Sequence, residues 1–124
     1  MNILVTGANG QLGQQFKNNT TESDFEFYFA DENELDITNK NDILNYISDY
    51  KINYILNCAA YTDVNGSESN KDLAIKINSE GIKNLVEICE EQKLKMIHFS
   101  TDYVYNSNNI NPIKEDSNIN PLNY

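Results

Sequence analysis

Residues 1–16, MNILVTGANGQLGQQF, decide how the rest of the chain is read. Asn2–Thr6 is a short apolar strand, and Gln11–Asn19 reads as a helix with Leu12 and Phe16 one turn apart. Between them stand Gly7, Gly10 and Gly13. A strand, a glycine turn and a helix N-terminus in that order can cradle a pyrophosphate on backbone N–H groups. The spacing is G-x-x-G-x-x-G rather than G-x-G-x-x-G, but the chemistry is similar. Gly7 permits the tight turn out of the strand, Gly10 lets a pyrophosphate approach the backbone, and Gly13 lets the helix pack close to the sheet. The alternative is a tight turn with incidental glycines.

A second acidic signal belongs with such a cradle. Asp31 follows the strand FEFYFA, residues 25–30, and lies 18 residues beyond Gly13. A carboxylate there accepts hydrogen bonds from the adenosine ribose hydroxyls and repels a 2′-phosphate. That favours NADH over NADPH and leaves both open. Otherwise, Asp31 begins a solvated acidic loop with Glu32 and Glu34.

Farther along, Asn39 or Asn41 caps a helix that runs to about Tyr50, with Ile43, Leu44 and Ile47 on one face. Tyr54–Asn57 is a third strand, apolar enough to be covered on both sides. Residues 61–70 read as a polar loop and residues 71–92 as one long helix. Met96–Phe99 is a fourth strand, closed by STDYVY. The order βαβαβαβ predicts an α/β fold, a Rossmann-type doubly wound parallel sheet of four strands in the order 3-2-1-4. Such a sheet is incomplete. Residues 1–105 make the NAD(P)-binding domain and residues 106–124 a polar loop. The open edge of the fourth strand is expected to be covered, by the chain's own tail or by a second copy in a homodimer.

Composition narrows the class. The chain has 124 residues with 40% hydrophobic and 23% charged, which suits one globular domain. Its net charge of −10 argues against nucleic-acid or anionic-membrane partners. Cys58 and Cys89 read as small buried residues rather than a disulfide pair, and a single histidine argues against a metal site. The N-terminus enters a strand directly, with neither a signal segment nor a long apolar run, so the expected location is cytoplasmic.

TGANGQLG, ELDIT, NCAAYTDV and STDYVY stand in this order along the chain. Together they resemble the extended short-chain dehydrogenase/reductase superfamily and, within it, the dTDP-4-dehydrorhamnose reductase group. The resemblance implies an NAD(P)H-dependent oxidoreductase that reduces the 4-keto group of dTDP-4-dehydro-L-rhamnose. It also implies roles for particular residues. Gly10, Gln11 and Leu12 would contact the pyrophosphate, Asp31 the ribose, and Asp36 and Ile37 the adenine. Ala60, Tyr61 and Thr62 would pack along the cofactor toward the nicotinamide, which Phe99 would line. Thr101 takes the place of the catalytic Ser/Thr, and Asp102 and Tyr103 would contact the sugar. Asn57 is either a turn residue that satisfies loop backbone or a direct ligand.

The resemblance has two departures. Where the group commonly shows VDKAE, residues 64–68 read VNGSE. The group's Tyr-x-x-x-Lys pair, the proton donor and its lysine, falls on the next helix, whereas the sequence given ends at PLNY with Tyr124. The 124-residue piece alone is therefore expected to have little reductase activity. Two other readings share the fold: a nucleotide-sugar epimerase or dehydratase, and a non-catalytic NADP-binding regulatory subunit.

Overall fold

The computed structural model describes residues 1–20, 23–105 and 112–121. Among these, strands β1 (Asn2–Thr6), β2 (Glu26–Ala30), β3 (Tyr54–Asn57) and β4 (Lys95–His98) form one sheet. Every neighbouring pair is parallel. Helix α1 (Gln11–Asn19) joins β1 to β2, and α2 (Lys40–Asp49) joins β2 to β3. Three helical pieces then lead to β4: α3 (Val64–Ser69), α4 (Lys71–Ile75) and α5 (Ile82–Gln92).

The Rossmann-type parallel sheet is as expected, but the strands run β2-β1-β3-β4 rather than 3-2-1-4. β2 lies beside β1, as expected, while β3 lies on the far side of β1 instead of beyond β2. The cause is the face that α2 covers. Ile43 and Ile47 of α2 are buried in one cluster with Leu4 of β1, Ile55 of β3, and Leu85 and Ile88 of α5. Val5 and Leu56 are also buried but outside that cluster, on the opposite face of the sheet. There Phe16 of α1 meets Phe99, with ring centroids 6.3 Å apart. Right-handed crossovers on opposite faces carry the chain in opposite directions. α1 therefore takes it to one side of β1, and α2 brings it back past β1 to the other. The switch of direction falls between β1 and β3.

Two stretches differ from expectation. The polar loop 61–70 contains α3, because Asp63 caps it: its Oδ1 accepts the Gly66 N–H at 2.8 Å. A Cβ on Gly66 would come within 2.7 Å of the Tyr61 hydroxyl, so the glycine admits both the cap and the tyrosine. The helix expected over 71–92 is continuous in direction but winds as a π-helix over Lys76–Gly81, between α4 and α5. The remaining expectations shift by a residue. β4 ends at His98 rather than Phe99, and Asn39 is the cap of α2, accepting the Asn41 N–H. Ile97 of β4 and Phe99 just after it are exposed. Part of the tail is placed: the Asn120 N–H donates to the Val104 carbonyl at 2.9 Å.

Candidate functional site

The loops that leave the carboxyl ends of β1, β2 and β3 enclose a cleft of about 370 Å³. It opens at the switch point, where folds of this kind hold ligands. Gly7 has φ +63°, and a Cβ there would lie 2.6 Å from the Ala59 nitrogen, so the first loop turns left-handed hard against the third. Gly13 is buried, and its Cβ would come within 2.4 Å of the Gly7 carbonyl oxygen. The Gly10 N–H closes the turn on that same oxygen at 3.0 Å. Gly10 is also the N-cap of α1. No side chain caps this helix, and its first turn has no acidic residue. Its leading amides are left to meet an anion.

The residues present therefore fit the pyrophosphate of a dinucleotide. A bare, uncapped helix start sits behind a loop that three glycines allow to lie flat.

Asp31 faces this loop across the cleft. Its Oδ2 accepts the Asn9 side-chain amide, and its Oδ1 accepts the Asn33 N–H at 2.8 Å. Each carboxylate oxygen keeps a second lone pair for a ribose hydroxyl. Asp36 shapes the rest of this wall, since its Oδ1 accepts both the N–H and the hydroxyl of Thr38 at 2.8 Å. Leu35 and Ile37 alternate with Asp36 and turn into the core. Ile37 also lines the cleft.

The third wall rests on buried polar groups. Asn57 is 1% exposed. Its Oδ1 accepts the Thr6 hydroxyl, and its amide reaches the Ala59 carbonyl at 3.4 Å and His98 Nδ1 at 3.0 Å. These bonds tie the carboxyl ends of β1, β3 and β4 together, which is the loop-satisfying reading of Asn57. Beyond it, Asn78 in the π-helical turn grips Tyr61 twice. The Tyr61 N–H donates to Asn78 Oδ1 at 2.8 Å, and Asn78 Nδ2 donates to the Tyr61 carbonyl at 3.0 Å. Such wide turns recur beside functional sites.

Of the residues singled out from sequence, Gly7, Gly10, Asp31, Asp36, Ile37 and Ala60 line the cleft together. Gln11, Leu12 and Gly13 stand behind it at the start of α1. Tyr61 and Thr62 lie on the loop beyond Ala60, outside the lining. Phe99 packs on Phe16 rather than lining the cleft, and Thr101, Asp102 and Tyr103 are exposed at a 3₁₀ turn after β4. Thr101 caps that turn by accepting the Tyr103 N–H at 3.2 Å. Tyr124 lies outside the described residues. Asn9, Glu32, Asn33, Leu35, Thr38, Cys58, Ala59 and Ile77 complete the lining without having been foreseen. Asn9 carried a signal, since it sits inside the glycine loop. Burial pushes the Cys58 thiol up to about 11, so it stays protonated and is no nucleophile at neutral pH.

A second cleft of about 540 Å³ lies at the opposite end of the sheet, beside Lys51, Lys93 and Lys95. Lys51 and Lys93 follow the carboxyl ends of α2 and α5 in left-handed conformation. Cations there answer the helix dipoles, which accounts for their placement.

Sheet order, glycine cradle and facing carboxylate define a Rossmann-type α/β domain. The family model for the RmlD substrate binding domain matches residues 1–124, and the chain belongs to that family. A dTDP-4-dehydrorhamnose reductase of Aggregatibacter actinomycetemcomitans is 36% identical over 121 residues, covering 97% of this chain and 41% of the relative. The crystal structure of a dTDP-4-dehydrorhamnose reductase from Clostridium acetobutylicum superposes with a TM-score of 0.93 at 38% identity, covering 99% of this chain and 44% of the other. The Bacillus anthracis dTDP-4-dehydrorhamnose reductase, solved in complex with NADP, gives 0.92 at 34% identity, covering 98% and 44%. The chain thus spans about two-fifths of the length of these relatives. Among the described residues, no helix is long and apolar enough to cross a membrane.

Proposed function

We propose that this chain forms the dinucleotide-holding part of an NAD(P)H-dependent reductase acting on the 4-keto group of dTDP-4-dehydro-L-rhamnose, in the formation of dTDP-rhamnose. One observation carries the reading: the glycine cradle and Asp31 face one another across a single cleft at the switch point of the sheet. The Bacillus anthracis relative, solved with NADP, supports it. A bound dihydronicotinamide supplies the hydride that makes the ketone an alcohol.

This chain's own residues would bind and orient. Gly10, through its bare Cα, and the amides of Gln11 and Leu12 meet the pyrophosphate, and Asp31 accepts from the adenosine ribose. Asp36 and Ile37 flank the adenine. Ala60, Tyr61 and Thr62 lead toward the nicotinamide, whose side Phe99 would line. The Thr101 hydroxyl hydrogen-bonds the sugar oxygen, and Asp102 and Tyr103 hold the sugar.

The test uses the protein that carries this chain, with dTDP-4-dehydrorhamnose and either NADH or NADPH. Loss of dihydronicotinamide fluorescence with formation of dTDP-rhamnose is the expected result. Cofactor binding without turnover of this sugar would overturn the assignment of substrate.

A further inference from the structure

The loop that forms the adenosine side of the cleft is anchored in the core by Leu35 and Ile37. Its Asx turn, Asp36 to Thr38, is internal and shapes the loop without tying it to the sheet. A side-chain tie to its backbone comes from the start of α5. Asn84 Nδ2 donates to the Ile37 carbonyl at 3.2 Å and to the Thr38 carbonyl at 3.1 Å. Both partners are carbonyls, so the nitrogen of this amide faces them. Three residues earlier, Gly81 lies directly under Ile37, where a Cβ would come within 2.8 Å of Ile37 Cδ1. Ile37 is 5% exposed and is itself part of the cleft lining.

We propose that Asn84, with Gly81, is a positioning element for the adenosine end of the dinucleotide, acting through the loop that carries Asp36 and Ile37. This rests on the dinucleotide reading above. Two bonds from one amide to successive carbonyls fix the direction of the peptide between them. That direction sets where Asp36 points and how far Ile37 enters the cleft. Leu35, Ile37, Leu85 and Ile88 share one buried cluster, so the loop and the helix stay packed when the amide is lost. What is lost is the orientation of the loop.

The test compares the full chain with its Asn84→Asp variant, which keeps the size and removes the donors. ADP-ribose is titrated by calorimetry, and amide exchange is followed residue by residue. The expected result is about tenfold weaker ADP-ribose binding, the worth of the lost hydrogen bonds. Exchange at Thr38 quickens while Leu4 and Ile55 in the sheet stay slow. Gly81→Ala, which drives Ile37 toward the cleft, weakens binding in the same way and carries the test if Asn84→Asp fails to fold. Unchanged ADP-ribose affinity overturns the proposal, as does weaker binding with equal quickening throughout the sheet. If the unsubstituted chain itself fails to bind ADP-ribose, the dinucleotide reading falls and takes this proposal with it.

Discussion

Gly7 concentrates several constraints in one backbone position. Its φ of +63° is open to glycine at no steric cost, and a side chain there would meet the backbone of Ala59 at 2.6 Å. Because that neighbour is backbone, it has no rotamer into which to retreat. Gly7→Ala is expected to destabilise the chain by about 2 kcal/mol or more, read as a lower urea midpoint. An unchanged midpoint would mean that the first and third loops are not held against each other. The role of Gly7 was legible in the sequence, because a glycine after a strand and before a helix has few other reasons to be there. That of Asn84 was not. It sits at an ordinary position in a helical pattern, and only the fold brings it to a loop 46 residues earlier in the chain.

At the level of elements, the strands and long helices follow the hydrophobic pattern closely, since each buries a face. α3 does not follow it. Its stability comes from a cap, and Asp63 three residues before Gly66 is a signal easily lost inside a polar run. Asp63→Ala is expected to cost about 1 kcal/mol. Faster amide exchange at Gly66 and Ser67, the first amides that the cap steadies, would show it; exchange as slow as before would contradict the capping role. The π-helical turn over Lys76–Gly81 was equally hidden, because apolar spacing in a helix barely changes when one extra residue is absorbed. The strand order escaped for a different reason. Whether β3 lies beyond β2 or on the far side of β1 depends on which face α2 covers, and both faces are apolar.

For the whole molecule, burial raises four weak acids, Tyr28, Tyr46, Cys58 and Cys89, and Cys58 and Tyr46 the most. Burial pushes the Cys58 thiol from 9.0 up to about 11. It likewise pushes the Tyr46 hydroxyl, packed beside Tyr50, from 10.0 up to about 12. The folded chain therefore keeps both protons after the unfolded chain has released them. Stability is at its full value below the unfolded values and is lost as pH rises through the folded ones. A series of urea midpoints should decline between about pH 9 and 12, and Cys58→Ala should lessen the earlier part of that decline, leaving the share of Cys89. A flat alkaline profile would show that neither group is desolvated by folding.

The central claim is that the loop Gly7–Gly13 and Asp31 together hold a dinucleotide. Titration of the chain with NADH and with NADPH, read by dihydronicotinamide fluorescence, tests it most directly. One dinucleotide is expected to bind per chain, with binding abolished by Gly10→Val, whose side chain would fill the cradle beside the Gly7 carbonyl. Asp31→Ala is expected to weaken NADH more than NADPH. Failure of the unsubstituted chain to bind either one, or undiminished binding by Gly10→Val, would contradict that claim.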